Sequence, residues 1–327
     1  MKNWSFRKKF FISVIFLIAV IVGYNYWNGR NHKEERISTK NEILHLEING
    51  VILNGKKFLS QLKRYQKDKT IKAIVIDINS PGGAVGPSQE IYYEILRAKQ
   101  ESKKPIICVT TGLMASGGYY SALACDKIVV APGALVGSIG VIMEFANLEK
   151  LYDWAKVSRY TITSGKFKDS GSEYRPMRDD ERQLFQSMID EVYMQFKTTV
   201  AKERNLEMSA VDAFADGRVM TGSSAVKLKL ADVEGTFEDA VRLAARAAEL
   251  KEGDYKIFKP KKEHMGFMDI LNLAGGKDDD DDDLNAFDEI TKVASMSNKA
   301  AAADIVKSIL KTQYLNQPLF LMPGYWE

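Results

Sequence analysis

Residues 105–121 constrain the fold more than any other stretch of the chain. An apolar run, Pro105-Ile-Ile-Cys-Val109, leads into Leu113-Met-Ala-Ser-Gly-Gly-Tyr-Tyr-Ser121, where a small residue, a serine and two glycines precede helix-forming positions. Short apolar runs rich in β-branched residues read as strands, and glycine pairs mark turns. The stretch therefore predicts a strand, a tight turn and a helix start, with Ser116 at the bend. That succession is the signature of an α/β protein, and the bend is where such a protein displays a nucleophile. Another strand and Gly-rich loop are read upstream. Residues 71–78 form a β-branched run suited to a buried parallel strand, followed by Asn79-Ser-Pro-Gly-Gly-Ala84. Residues 88–104 then carry Ile91, Ile95 and Ala98 at the spacing of an amphipathic helix.

A serine hydroxyl is a weak nucleophile at neutral pH and needs a base beside it. The three histidines, His32, His45 and His264, lie in no glycine-rich turn and beside no second catalytic-looking stretch, which argues against a Ser-His-Asp triad. His45 sits within the first strand, residues 42–48, and reads as structural. A lysine-bearing stretch, Thr163-Ser-Gly-Lys-Phe-Lys-Asp-Ser-Gly171, follows the alternating residues 157–162. Lysine acts as a base only where desolvation disfavours its ammonium form. The glycines of residues 79–84 have a chemical use too. They let backbone N–H groups approach a substrate, and each such donor aimed at a developing oxyanion is typically worth ~3–4 kcal/mol.

Four stretches in this order, Asp77-Ile-Asn-Ser-Pro-Gly-Gly83, Ala115-Ser-Gly-Gly-Tyr-Tyr120, Gly137-Ser-Ile-Gly-Val-Ile142 and Ser164-Gly-Lys-Phe-Lys-Asp169, resemble the signature of the signal peptide peptidase A family, bacterial membrane-bound Ser-Lys peptidases. The match runs over roughly residues 40–250. It implies an α/β fold of the Clp-protease and crotonase-like kind, a spiral of ββα units. It also implies Ser116 as nucleophile, Lys168, the lysine immediately before Asp169, as base, and the amides of Gly83 and Gly117 as the oxyanion hole. Lys166 is the alternative base. Ser138 is a candidate for orienting the lysine, or a plain turn serine. By the same resemblance the substrates are remnant signal peptides and other unfolded membrane-proximal segments. The active sites then face an enclosed bowl in a homo-oligomeric ring, where Ser and Lys can come from neighbouring subunits.

The amino terminus agrees with a membrane enzyme. Residues 1–9 hold Lys2, Arg7, Lys8 and Lys9 and no acid, and without those four charges the net +3 of the 327-residue chain falls to −1. The body is nearly neutral, so nothing argues for nucleic acid. Residues 10–29 carry no charge and are largely apolar, and a bilayer core needs about 20 such residues. Interfacial aromatics follow in place of a small-residue cleavage pattern, so an uncleaved anchor is expected, with the amino terminus in the cytoplasm and the body outside it. The expectation is thus a single-pass protein of the bacterial inner membrane, touching lipid through residues 10–29. The organisation that follows is a basic tail (1–9), an anchor (10–29), a stalk (30–41), a peptidase domain (42–250) and a carboxyl-terminal extension (251–327).

That extension contains six consecutive aspartates at 278–283, a self-repelling run that reads as a solvated linker. It lacks the interposed glycine and distal glutamate of a calcium loop. Residues 304–314 can form a helix. Residues 318–327 are apolar enough to dock, whether in a substrate groove or by ordinary surface packing. Cys108 and Cys125 lie in apolar contexts and read as buried thiols. No spacing points to a metal or a cofactor. Two readings of other classes share the fold: a crotonase-like acyl-CoA enzyme, and a catalytically silent membrane scaffold.

Overall fold

The structure, a computed structural model, describes residues 41–260 and 319–321. The expected tail, anchor and stalk at 1–40, the acidic run and the expected helix at 304–314 lie outside the described residues. Among the described residues no helix is long and apolar enough to cross a membrane.

The chain opens with β1 (Glu42–Asn49), α1 (Lys56–Tyr65), β2 (Ile71–Asn79), β3 (Gly82–Ala84) and α2 (Val85–Ser102). It continues through β4 (Ile106–Thr110), β5 (Leu113–Ala115), α3 (Gly117–Ala122), β6 (Lys127–Val130) and β7 (Leu135–Gly137). The order β2-β3-α2 recurs as β4-β5-α3, so the two sequence patterns fold into two ββα units. Next come α4 (Glu149–Ala155), α5 (Asp179–Arg204), α6 (Met208–Asp212), β8 (Val219–Thr221) and α7 (Gly222–Lys227). The last elements are β9 (Val233–Glu234), α8 (Phe237–Ala247), β10 (Lys256–Phe258) and β11 (Leu319–Leu321).

Six strands form one sheet in the order β10-β1-β2-β4-β6-β9, and every pairing in it is parallel. Both faces are covered, which is why β2 reads as an unbroken apolar run rather than an alternation. Ile74, Ile76 and Ile78 pack on one side with α1, α2 and the aromatic residues Tyr119, Tyr120 and Phe196. Ala73 and Val75 pack on the other, against Ala240, Val241 and Ala244 of α8. The first expectation, an α/β fold on a parallel sheet, holds.

Two smaller sheets stand at the carboxyl ends of these strands. One is β5-β7-β8 and the other is β11-β3. Parallel bridges from Ile52 to Gly83 and from Ser80 to Met114 tie them to the loops after β1 and β2. The turns after β2 and β4 are thereby brought side by side. One expectation is corrected here: Cys108 of β4 and Cys125 beyond α3 are joined in a disulfide rather than being free thiols. The packing of α3 back onto β4 brings residues 17 apart in sequence into contact.

Candidate active site

Ser116 is the residue between β5 and α3. Its φ of 51° is positive, which costs a non-glycine residue strain and persists only where the surroundings enforce it. The surroundings do so through the backbone. The Ser116 N–H donates to the Gly137 carbonyl at 2.7 Å, and the Tyr120 N–H donates to the Ser116 carbonyl at 2.8 Å. The residue is fully buried, and its Oγ has no hydrogen-bond partner among the described residues. A buried hydroxyl left unpaired is costly and calls for an explanation.

The Gly-rich loop after β2 runs alongside. Ser80 N–H donates to the Leu113 carbonyl at 2.8 Å, and Ala115 N–H donates to the Ser80 carbonyl at 3.0 Å. The Ser80 hydroxyl fixes the loop by donating to the Gly50 carbonyl at 2.7 Å and accepting from the Gly82 N–H at 3.1 Å. Sequence reasoning passed over Ser80, although its place before Pro81-Gly-Gly is a turn signal. Gly118 must be small because a Cβ there would lie 3.1 Å from the Ser80 carbonyl oxygen.

Gly83 is more tightly constrained still, since a Cβ would fall 2.1 Å from the Ile52 carbonyl oxygen. Its neighbours use the edge toward Ile52: Ile52 N–H donates to the Gly82 carbonyl and Ala84 N–H to the Ile52 carbonyl, each at 2.8 Å. Backbone groups of successive strand residues point to opposite edges, so the Gly83 N–H and C=O face the other way. That edge is taken by β11, which pairs antiparallel with Phe320 opposite Gly83. The carboxyl-terminal segment, expected to dock in a substrate groove or by ordinary surface packing, pairs through residues 319–321 with the Gly-rich loop.

Ser138 follows β7 as Ser116 follows β5. The strands are parallel, with Ala115 opposite Gly137, so the two serines leave neighbouring strands at the same level. Ser138 is buried, also has φ 51°, and donates its N–H to the Arg218 carbonyl at 2.8 Å.

The two lysines are elsewhere in character. Residues 157–168 are exposed and contain no strand, although 157–162 alternate in sequence. Alternation makes a strand only where one face finds something to cover it. Lys166 is committed to Asp180, with Nζ 2.7 Å from Oδ2, and the bond holds the Asp180 carboxyl below its usual range. Lys168 lines an open depression with Arg159, Asp169, Glu173 and Tyr174. Its Nζ makes no hydrogen bond or ion pair with any described residue, and the Ser116 hydroxyl does not reach it. Within one copy, then, the structure brings Ser116, Ser138, Gly83 and Gly117 together and leaves Lys168 on the surface.

The same exposed region is strongly apolar. Trp154 is 80% exposed, Tyr160 89% and Ile162 102%. A concentration of this kind marks a surface that meets another molecule. Among the described residues, His45, Glu47 and Asp77 have donor atoms within 4.8 Å of one another. Glu47 already has a cation in Lys259 at 2.7 Å, and the His45 ring packs on Phe237.

Comparison with known proteins adds four observations. The model of peptidase family S49 matches residues 98–251. A Synechocystis protein named as a protease is 42% identical over 218 residues, covering 66% of this chain and 77% of its own. An Enterococcus faecium protein named as a signal peptide peptidase SppA is 35% identical over 247 residues, 72% and 71% of the two chains. A Methanocaldococcus jannaschii protein named as a protease is 33% identical over 234 residues, 70% and 75%.

Proposed function

The chain belongs to peptidase family S49, and on that premise we propose that it is a membrane-anchored serine endopeptidase working through Ser116 and Lys168. The observation that carries the reading is the Ser116 turn: a buried, unpartnered Oγ at a positive-φ bend, flanked by the Gly-rich loop. Such an arrangement aims a hydroxyl at a carbonyl and keeps donors waiting for the charge that develops. Ser116 Oγ attacks the peptide carbonyl, and the neutral Lys168 amine takes its proton. The Gly83 and Gly117 amides hold the oxyanion. Lys168 then donates the proton to the leaving amine, and water releases the acyl group from Ser116.

Because Lys168 meets no described partner and Ser116 Oγ is equally alone, the base for one copy is supplied by a neighbouring copy. The exposed Trp154, Tyr160 and Ile162 support an assembled ring, which would cover them. The disulfide Cys108–Cys125 supports a location outside the cytoplasm, as expected for a body tethered by residues 10–29. Pairing of Leu319–Leu321 with Gly82–Ala84 supports strand addition as the mode of peptide binding, which suits substrates that are unfolded, such as remnant signal peptides.

Mixing tests the shared site. A Ser116→Ala protein and a Lys168→Ala protein, each inactive alone, regain peptide hydrolysis when co-assembled. Activity that stays at zero in the mixed oligomer contradicts a dyad shared between copies.

A further inference from the structure

The segment carrying Lys168 has little apolar packing to hold it, yet one point of it is firmly fixed. Arg175 donates from Nε to Asp169 Oδ2 at 3.1 Å and from Nη2 to the Asp169 carbonyl at 3.0 Å. The same guanidinium donates from Nη1 to Glu181 Oε2 at 2.9 Å and from Nη2 to Glu181 Oε1 at 2.5 Å. Glu181 is fully buried in the first turn of α5 and also accepts the Arg178 N–H at 3.0 Å. Arg178 adds a second cation, its Nη1 standing 3.6 Å from Asp169 Oδ1.

A forked guanidinium bound to a buried carboxylate is among the stiffest polar contacts available to a protein. It is not released cheaply, because the fully buried Glu181 would keep only Arg178, whose Nη2 stands 2.8 Å from Oε1, as its cation. The consequence falls on Lys168, one residue from the anchored Asp169. Asp169 is also the carboxylate nearest in sequence to that lysine. A free carboxylate there would stabilise the ammonium form, which cannot act as a base. The other charges around the depression are already paired, Arg159 with Glu173 at 2.8 Å and Lys166 with Asp180 at 2.7 Å. Tyr174 is engaged with Thr161 and Ser172.

We propose that Arg175 is a positioning residue for the peptidase reaction: anchored on Glu181, it fixes the backbone next to Lys168 and holds the Asp169 carboxylate away from the lysine amine. This rests on the reading of Lys168 as the base.

The test is the pH dependence of kcat/KM for a fluorogenic peptide, measured on the full-length protein in detergent, with melting temperature followed in parallel. Arg175→Met is expected to lower kcat about tenfold through misplacement of the base, with KM little changed. Its acid limb moves upward by about half a pH unit, as a freed carboxylate at a solvent-exposed site would cause. Adding Asp169→Asn in that background returns the limb to its wild-type position without restoring kcat. Arg175→Lys keeps a charge beside Glu181 but lacks the fork, and changes both quantities in the same direction should the methionine variant fail to fold. An acid limb unmoved in a folded Arg175 variant, with Lys168→Ala inactive, overturns the proposal alone. Activity retained in Lys168→Ala overturns the base assignment and the proposal with it.

Discussion

Ser116 and Ser138 stand one residue beyond Ala115 and Gly137, which face each other across the parallel strands β5 and β7, and both serines have φ 51°. Two strained, buried hydroxyl residues side by side mark a site in which both side chains are aimed. Ser116 is the nucleophile of the proposed mechanism. On that mechanism Ser138 would receive a hydrogen bond from an incoming lysine and hold it toward Ser116. Ser138→Ala is expected to lower kcat by about 10²-fold, the usual scale for losing an oriented base, while the oligomer and its melting temperature stay close to wild type. Unchanged turnover would remove Ser138 from the mechanism.

The carboxyl-terminal strand makes a second prediction. Leu319–Leu321 occupies the edge of Gly82–Ala84, the edge that strand addition would offer a substrate. An intramolecular strand competes at a high effective concentration. Deleting residues 315–327 is therefore expected to lower KM several-fold for an extended peptide and to leave kcat unchanged. Kinetics indifferent to the deletion would exclude the tail as a competitor.

Acid should loosen the Lys168 segment through Glu181. Arg175 holds the Glu181 carboxyl down at about 2, against an ordinary value of 4.5. A carboxylate with a depressed folded-state value contributes stability above its unfolded value and loses it as pH falls. The contribution is thus complete above about pH 4.5 and fades toward pH 2. The melting temperature of Glu181→Gln, below wild type at pH 7, should converge on it across that window. A gap that stays constant down to pH 2 would contradict the ion pair.

The sequence made the scaffold readable wherever a segment's own residues decide its state. The run at Ile71–Asn79 is apolar enough to require burial on both faces, and Ser116 falls at the bend because glycines follow it. Helix α5 carries acids in its first turn and Lys202 and Arg204 in its last, which suit the helix dipole. What escaped is non-local. Strands β3, β5 and β7 have three residues each, too short for a period, and their pairing puts Ser138 beside Ser116. The disulfide depends on α3 folding back over β4, which spacing does not reveal. Arg175 lay unnoticed among exposed charges, because only the buried position of Glu181 distinguishes its contacts from an ordinary surface pair.

The central claim is that Ser116 and Lys168 together perform peptide hydrolysis. Its most direct test is turnover of a fluorogenic peptide by the full-length protein beside Ser116→Ala and Lys168→Ala, with assembly checked for each. The account predicts that both variants assemble normally and lose activity by at least about 10³-fold, as removal of a nucleophile or its base does in acyl transfer. Activity surviving in Lys168→Ala would move the base to another residue, first to Lys166, and activity surviving in Ser116→Ala would contradict the mechanism outright.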